Sequence, residues 1–345
     1  MKVLVLGGTR FVGLRLLRQL VQGKHDITIL NRGRTKAELP ASIKRLYADR
    51  RNPDEVRRLL KGLKFDVIYD MTGYQTINVE PLVEEFAGKI SHYFLQSTSG
   101  VYDSTEYIPI RENSPTLSPV TDNKGLAAYA QDKSGTEQYL LRTFKERGFP
   151  VTIFRSPVIY GPENWMEDRE ASYFVRLLQN RRILIPASGS TFLQYTHVDD
   201  LAKAYIDATK TDKVNGQAYN ITSDYAITIN GYVDVIAKVV GVKPRKIYVE
   251  GRFLRDLKNQ DLFPIHRWDK SVYYDTSKAK RDFGFQPQYD MEEGMRQTYE
   301  WWKENKGIEK TEFTPGKLGH NVNFAEEDEV FDKYGSEKEP YVWSH

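Results

Sequence analysis

The first thirteen residues, Met1-Lys2-Val3-Leu4-Val5-Leu6-Gly7-Gly8-Thr9-Arg10-Phe11-Val12-Gly13, restrict the fold more than any other stretch. Val3 to Leu6 is a short apolar run ended by glycine, which suits a strand buried on both faces of a parallel sheet. Phe11, Leu14, Leu16, Leu17 and Leu20 then recur near helical spacing, so a helix follows the glycine turn at once. A strand, a glycine turn and a helix N-terminus make an anion cradle. Backbone N–H groups and the positive end of the helix dipole face a pyrophosphate, and glycine lets the chain approach it. A turn holding Gly7, Gly8 and Gly13 directly after the first strand is therefore read as a dinucleotide site, with Thr9, Arg10, Phe11 and Val12 lining it.

The alternation then repeats. Asp26 to Leu30 reads as a second strand, ending in Asn31-Arg32-Gly33-Arg34. An acid at this place accepts hydrogen bonds from the ribose 2′-hydroxyl of NAD, whereas arginine accommodates a 2′-phosphate. Here there is no acid. Arg32 and Arg34, with Arg10 toward the same region, predict NADP in preference to NAD; the alternative is ordinary solvated charge. Lys44 to Asp49 reads as a third strand, which places Asp49 near the adenine, and Asn52-Pro53-Asp54-Glu55 opens a helix with acids in its first turn. Phe65 to Tyr69 is the next buried strand, and Met71, Thr72 and Gly73 after it lie where a cofactor ribose rests in this architecture. Ile77 to Phe86 follows as helix and Tyr93 to Gln96 as strand. The pattern predicts an α/β fold on a Rossmann-type, doubly wound parallel sheet.

That last strand leads into Gln96-Ser97-Thr98-Ser99-Gly100-Val101-Tyr102, a hydroxyl cluster at a strand's carboxyl end, where such sheets bind ligands. Taken alone it reads equally well as a polar turn. Ala127 to Arg147 is a long helix carrying Tyr129 and Lys133, four apart and so on one face. The spacing by itself carries little, since Tyr274/Lys278, Tyr299/Lys303 and Tyr334/Lys338 repeat it in a chain with 22 tyrosines. Topology selects the first pair, which alone starts a helix after the Thr98 strand.

Five motifs now stand in order: Gly7 to Gly13, Ser97 to Tyr102, Tyr129 to Lys133, Arg155-Ser156-Pro157-Val158-Ile159-Tyr160-Gly161-Pro162, and His197-Val198-Asp199-Asp200-Leu201-Ala202. Over roughly residues 1–305 the chain resembles the extended short-chain dehydrogenase/reductases of the NAD-dependent epimerase/dehydratase group. Arg10 stands where that group usually has glycine, a variant similar to the branch containing the chloroplast stem-loop RNA-binding proteins. The resemblance implies an NAD(P)-dependent epimerase or reductase acting on a carbinol carbon, with a nucleotide sugar as the small-molecule substrate. It implies Thr98, Tyr129 and Lys133 as catalytic residues and places Pro157 and Val158 beside the nicotinamide. Ser99, Asn164, Gln194, Tyr195 and Arg267 are further expected as substrate contacts, Arg267 because it stands with Arg252 and Arg255 among aromatics. Dehydratases of the group follow the catalytic threonine with Asp-Glu; Ser99-Gly100 here disfavours 4,6-dehydration. Members often form homodimers through helices like 77–88 and 127–147.

Domain organisation follows: a nucleotide domain over 1–162 with segments returning near 192–222, a substrate lobe over 163–309, and a tail over 310–345. The tail lacks periodicity but carries Phe324, Phe331, Tyr341 and Trp343, so it is expected to wrap onto the body. Arg181-Arg182 reads as solvated charge or as part of a diphosphate site. A metal reading of His197, Asp199 and Asp200 is disfavoured, because acids at a helix start already have a structural reason. A net charge of +3 argues against nucleic acid as a partner, though Arg50, Arg51, Arg57 and Arg58 keep that rival reading alive. The chain has no cysteine, which excludes thiolate chemistry and cysteine metal sites. The apolar run ending at Gly7 is too short for a signal peptide, and no stretch approaches a membrane span, so a cytoplasmic protein is expected.

Overall fold

The structure is a computed structural model that describes residues 1–35, 37–103, 107–119, 125–257, 269–313 and 322–339. In chain order the first elements are β1 (Lys2–Leu6), α1 (Phe11–Gln22), β2 (Asp26–Asn31), β3 (Lys44–Tyr47), α2 (Pro53–Leu60), β4 (Val67–Asp70), α3 (Thr76–Phe86), β5 (His92–Thr98), α4 (Gly125–Arg147) and β6 (Val151–Ser156). Then come β7 (Val158–Tyr160), α5 (Glu170–Leu178), β8 (Arg182–Pro186), β9 (Phe192–Leu193), β10 (Tyr195–His197), α6 (Val198–Ala208), β11 (Gln217–Asn220) and β12 (Ile227–Thr228). The rest are α7 (Ile229–Val240), β13 (Arg245–Val249), α8 (Gly251–Arg255), α9 (Ser277–Phe283), α10 (Met291–Asn305), α11 (Phe324–Tyr334) and β14 (Gly335–Ser336).

Two compact units divide these elements. Unit 1 comprises Met1–Ile159, Thr196–Thr222 and Tyr274–Gln288. Its strands stand in the order β11, β6, β5, β4, β1, β2, β3, and every ladder between them is parallel. This is the doubly wound Rossmann-type sheet. The continuous apolar run of β1 has a direct cause, because successive side chains serve opposite cores. Val3 and Val5 pack with Leu16, Leu17 and Leu20 of α1 and with Leu201 and Tyr205 of α6. Leu4 and Leu6 pack with Val56 and Leu60 of α2, Leu82 and Phe86 of α3, and Leu140 of α4. Each such buried aliphatic side chain contributes about 1.5–3 kcal/mol.

Unit 2 comprises Tyr160–Tyr195, Ser223–Tyr273 and Tyr289–His345. Phe174 of α5, Val233 and Ile236 of α7, and Met295 and Trp302 of α10 form its main core. Strand β13 pairs parallel with β8 and antiparallel with β14. Helix α11 shows no apolar periodicity in the sequence, yet it forms. Asn323 caps it by accepting from the Glu326 N–H, Glu326 and Glu327 favour its positive end, and Val330 and Phe331 join Leu184, Ile247, Val249 and Leu254. Arg176 and Glu327 pair through both carboxylate oxygens and are all but sealed from solvent. Arg181 and Arg182 are not free surface charge, because they pair with Asp328 and, for Arg182, also Asp332. Within the segment 192–197, Gln194 separates β9 from β10. There the buried Gln194 amide donates to the Ser223 carbonyl at 2.7 Å.

Candidate active site at the carboxyl edge of the parallel sheet

Strands β1 and β4 are neighbours although they are not consecutive in sequence, which makes their carboxyl ends the point where the sheet's winding reverses. The turn after β1 is shaped for close approach. Gly8 sits at φ +85°, and a Cβ on Gly13 would lie 2.7 Å from the Gly8 backbone nitrogen. Phe11 adopts φ +41°, a region that side-chain-bearing residues rarely enter. Helix α1 begins there with Arg10 as an extended N-cap, no side-chain cap and no acid in its first turn. Its first amides are thus left for an acceptor from outside the helix. Helix α2 differs: Asn52 accepts from the Glu55 N–H, and Asp54 and Glu55 occupy the first turn. Thr9 and Val12 flank this turn, Thr9 half-buried and Val12 in the core beneath α1.

At the end of β2, Asn31 Oδ1 accepts the Gly33 N–H at 2.7 Å, which leaves the Asn31 amide nitrogen as the outward donor. Arg32 and Arg34 are exposed and make no hydrogen bond or ion pair among the described residues. Asp49, after β3, is held by Arg51 Nη2 at 2.6 Å, and this hydrogen bond pulls its carboxyl down to about 2. Arg50 is not the surface arginine that the sequence suggested. It turns inward to 8% exposure and grips the fully buried Asp70 with Nη1 at 2.5 Å and Nη2 at 2.7 Å. It also donates to Thr72 Oγ1 at 2.9 Å and to the Asn78 carbonyl at 2.6 Å. Tyr93 donates to the same Asp70 at 2.6 Å. Burial alone would lower the Arg50 pKa; the Asp70 carboxylate outweighs it and raises it. This network fixes the Met71-Thr72-Gly73 turn, where Thr72 N–H also donates to Asp70 at 2.9 Å.

Thr98 ends β5, and its Oγ1 accepts the Gly100 N–H at 3.1 Å, capping the short 3-10 turn Ser99–Val101 in which Ser99 is buried. Lys133 is 1% exposed, and its Nζ donates to the Gly73 carbonyl at 3.0 Å and the Gln96 carbonyl at 2.5 Å. The ammonium also lies 4.8 Å from the centroid of the Tyr74 ring, and Tyr129 sits 6.0 Å from that ring. Burial brings the Lys133 pKa down to about 8, against the pull of Asp70 and Glu137. One ammonium thus ties α4, the turn after β4 and the end of β5. Ser156 pairs with Thr98 across the β5–β6 ladder, and the half-buried Pro157 and Val158 follow it. Unit 1 therefore gathers the glycine turn, Asn31, Arg32, Arg34, Asp49, Met71 to Gly73, Thr98, Ser99, Tyr129, Lys133, Pro157 and Val158 along one edge of a parallel sheet.

Of the remaining candidates, Asn164, Gln194 and Tyr195 belong to unit 2, and Asp199 and Asp200 to unit 1. Asn164 donates to Glu170 at 2.7 Å while its own Oδ1 accepts the Met166 N–H. Tyr195 stacks on Tyr232 with ring centroids 4.7 Å apart. Arg267 lies outside the described residues. Asp199 is gripped by Arg15 through Nε and Nη2, both at 2.5 Å, and Asp200 accepts the Gln288 N–H at 2.8 Å. Glu137 and Glu170 were missed by sequence reasoning, and Arg155, read there only as part of a motif, was given no role. Glu170, 2% exposed, has its carboxyl pushed up to about 7 by burial. For Glu137 a signal existed, an acid four residues past Lys133 on the inward face of α4.

Among the described residues no helix is long and apolar enough to cross a membrane. The chloroplast stem-loop binding protein of 41 kDa b of Arabidopsis thaliana is 29% identical over 345 residues, covering 96% of this chain and 84% of its own. A putative UDP-glucose 4-epimerase of Methanocaldococcus jannaschii is 24% identical, covering 88% and 99%. The UDP-glucose 4-epimerase of Thermotoga maritima, crystallised with UDP-glucose, superposes with a TM-score of 0.72 at 19% identity, covering 88% of this chain and 99% of its own. The UDP-glucuronic acid 4-epimerase of Bacillus cereus in complex with NAD gives 0.70 at 20% identity, covering 88% and 99%. At these identities the structures speak to the fold alone. The sequence profile of the NAD dependent epimerase/dehydratase family matches residues 3–222, and with the uncapped glycine turn beneath it this chain belongs to that family.

Proposed function

We propose that this protein moves a hydride to or from a carbinol carbon of a nucleotide sugar, as an epimerase or a simple reductase, with Tyr129 as general acid/base. The observation that carries the reading is Lys133, a buried ammonium anchored by the Gly73 and Gln96 carbonyls on the helix that bears Tyr129. A carbinol oxygen must lose or gain a proton in step with its hydride, and tyrosine does this best as a phenolate, although its ordinary pKa is about 10. An ammonium one turn away favours the phenolate. Thr98 holds the substrate oxygen within hydrogen-bond reach of the phenol. A bound nicotinamide supplies the hydride acceptor or donor. The glycine turn would hold its pyrophosphate, and Met71 to Gly73, Lys133, Pro157 and Val158 its nicotinamide half.

NADP is the preferred cofactor in this reading. Asn31 presents a donor, and Arg32 and Arg34 are exposed and form no ion pair among the described residues, so the end of β2 offers positive charge and N–H groups rather than an acid. Relatives include the dTDP-D-glucose 4,6-dehydratase of Homo sapiens, 23% identical over 344 residues. The Ser99-Gly100 pair after Thr98 supplies no second acid and base, which disfavours that reaction. The rival reading, RNA binding, draws on the stem-loop binding relative. Against it, Arg50 is buried on Asp70, Arg51 is paired with Asp49, and Arg57 with Asp54 and Glu84.

A thermal-shift screen with NAD, NADP, UDP-glucose and a stem-loop RNA tests the whole reading. A ligand at a hundred times its Kd adds about 2.7 kcal/mol of apparent stability. NADP and the sugar nucleotide should shift the melting temperature; a shift with RNA alone would overturn the enzyme reading.

A further inference from the structure

Beneath the candidate catalytic groups lies a buried charge cluster that the reaction itself does not use. Ser97 and Arg155 are direct partners across the β5–β6 ladder. Glu137, 2% exposed on α4, places one carboxylate oxygen on each of them. Ser97 Oγ donates to Oε1, while Arg155 donates to Oε2 from Nε at 3.0 Å and Nη2 at 2.6 Å. Arg155 is itself fixed from behind: Nη1 donates to the Glu112 carbonyl at 3.0 Å, and the guanidinium lies 4.8 Å from the Tyr102 ring centroid. Tyr102 in turn donates to Asn220 at 2.6 Å, so the cluster reaches β11.

Helical geometry gives this arrangement its meaning. Tyr129, Lys133 and Glu137 follow one another at intervals of four, so they lie on neighbouring faces over two turns, about 12 Å of helix. Of the three, Glu137 is the acid, and its carboxylate bridges two adjacent strands through Ser97 of β5 and Arg155 of β6. Ser97 immediately precedes Thr98, and its side chain faces α4. A shift of α4 along its axis, or a tilt of the β5 end, must break one arm of this fork.

We propose that Glu137 is a positioning residue: bridging Ser97 and Arg155, it sets the register of α4 against the end of β5 and so the placement of Tyr129 and Lys133 relative to Thr98. The proposal rests on Tyr129 being the acid/base. Without the fork, Lys133 and Tyr129 drift from the positions in which the ammonium favours the phenolate.

Removing Glu137 outright would leave a buried guanidinium without its counter-charge and endangers folding. Ser97→Ala deletes one arm only. Tyrosine ring carbon-13 NMR on the full-length protein saturated with NADP, with Tyr129 assigned by Tyr129→Phe, follows the phenol without any turnover. The wild-type Tyr129 phenol should ionise at a lower pH than in Ser97→Ala, and Ser97→Thr should restore it. With UDP-glucose as substrate, Ser97→Ala should lose about tenfold to a hundredfold in kcat while KM holds, as expected for slight misplacement. A Ser97→Ala protein that loses melting temperature but keeps the wild-type phenol titration overturns the proposal and leaves Tyr129 as acid/base. A wild-type Tyr129 that ionises like free tyrosine overturns both.

Discussion

On α4, four residues after Tyr129, Lys133 is sealed into the protein and held by two backbone carbonyls. On α10, four residues after Tyr299, Lys303 is exposed, and Tyr299 packs on Phe174 and Trp302, with burial holding its phenol above the usual range. Spacing and helix are shared, so only the surroundings separate a candidate acid/base from a packing pair. Burial beside two backbone carbonyls is what sets the first lysine apart. The same contrast divides the arginines: Arg50, Arg51 and Arg57 form ion pairs with carboxylates, whereas Arg32 and Arg34 are exposed and form none among the described residues.

The sharpest way to break the comparison is to remove one oxygen from each tyrosine. Tyr129→Phe should slow turnover by roughly a hundredfold to ten-thousandfold, and Tyr299→Phe should leave the chemical step alone. Equal turnover by both proteins would return Tyr129 to the packing class.

Acid–base titration of stability sharpens it next. The Lys133 pKa falls from 10.5 to about 8 in the folded state, a gap of about 2.5. At about 1.4 kcal/mol for each pH unit, the gap amounts to roughly 3–4 kcal/mol. Below pH 8 both states carry the charge and its burial penalty is complete. Between pH 8 and 10.5 the folded state has released a proton that the unfolded state keeps, so stability rises with pH. Denaturant unfolding should therefore show wild type gaining on Lys133→Met across that window, while Lys303→Met follows wild type throughout. Parallel curves for wild type and Lys133→Met would refute the burial penalty.

For the arginines, losing one charge-assisted contact to a 2′-phosphate weakens binding about tenfold. Fluorescence titration should find Arg32→Ala weaker for NADP by that factor and unchanged for NAD, with Arg51→Ala unchanged for both. Tighter binding of NAD, indifferent to Arg32, would remove the proposed preference. The smallest effect is the absence of one. Filter binding of a structured RNA at physiological salt should stay above micromolar, since few unpaired arginines release few counterions.

Much of unit 1 was legible because its signals are local. Val3 to Leu6, the glycines of the turn, and the start of α2 at Asn52-Pro53 each announce themselves within a few residues. Helices α7 and α10 carry local signals as well: Thr228 and Asp290 cap their starts and, for α7, a left-handed Gly241 marks the end. What stayed hidden depends on partners far along the chain. Arg50 reads as surface charge until Asp70, 20 residues on, accepts it. Glu137 and Arg155 lie 18 apart, and Arg176 and Glu327 lie 151 apart. Strands β8 and β13 also escaped, since their pairing brings together residues that no local pattern links. The candidate catalytic set was readable only after topology chose among four identical spacings.

The Arg176–Glu327 pair also imposes a timetable on folding. During synthesis α5 emerges long before α11, and until Glu327 exists the Arg176 guanidinium has no counter-charge with which to enter the core of unit 2. A buried charge left alone costs about 3–5 kcal/mol, a large share of the roughly 5–15 kcal/mol by which a domain is stable. The core of unit 2 must therefore close late, on arrival of its last helix, and a ribosome stalled before residue 324 would hold out an unfinished unit to proteases and chaperones.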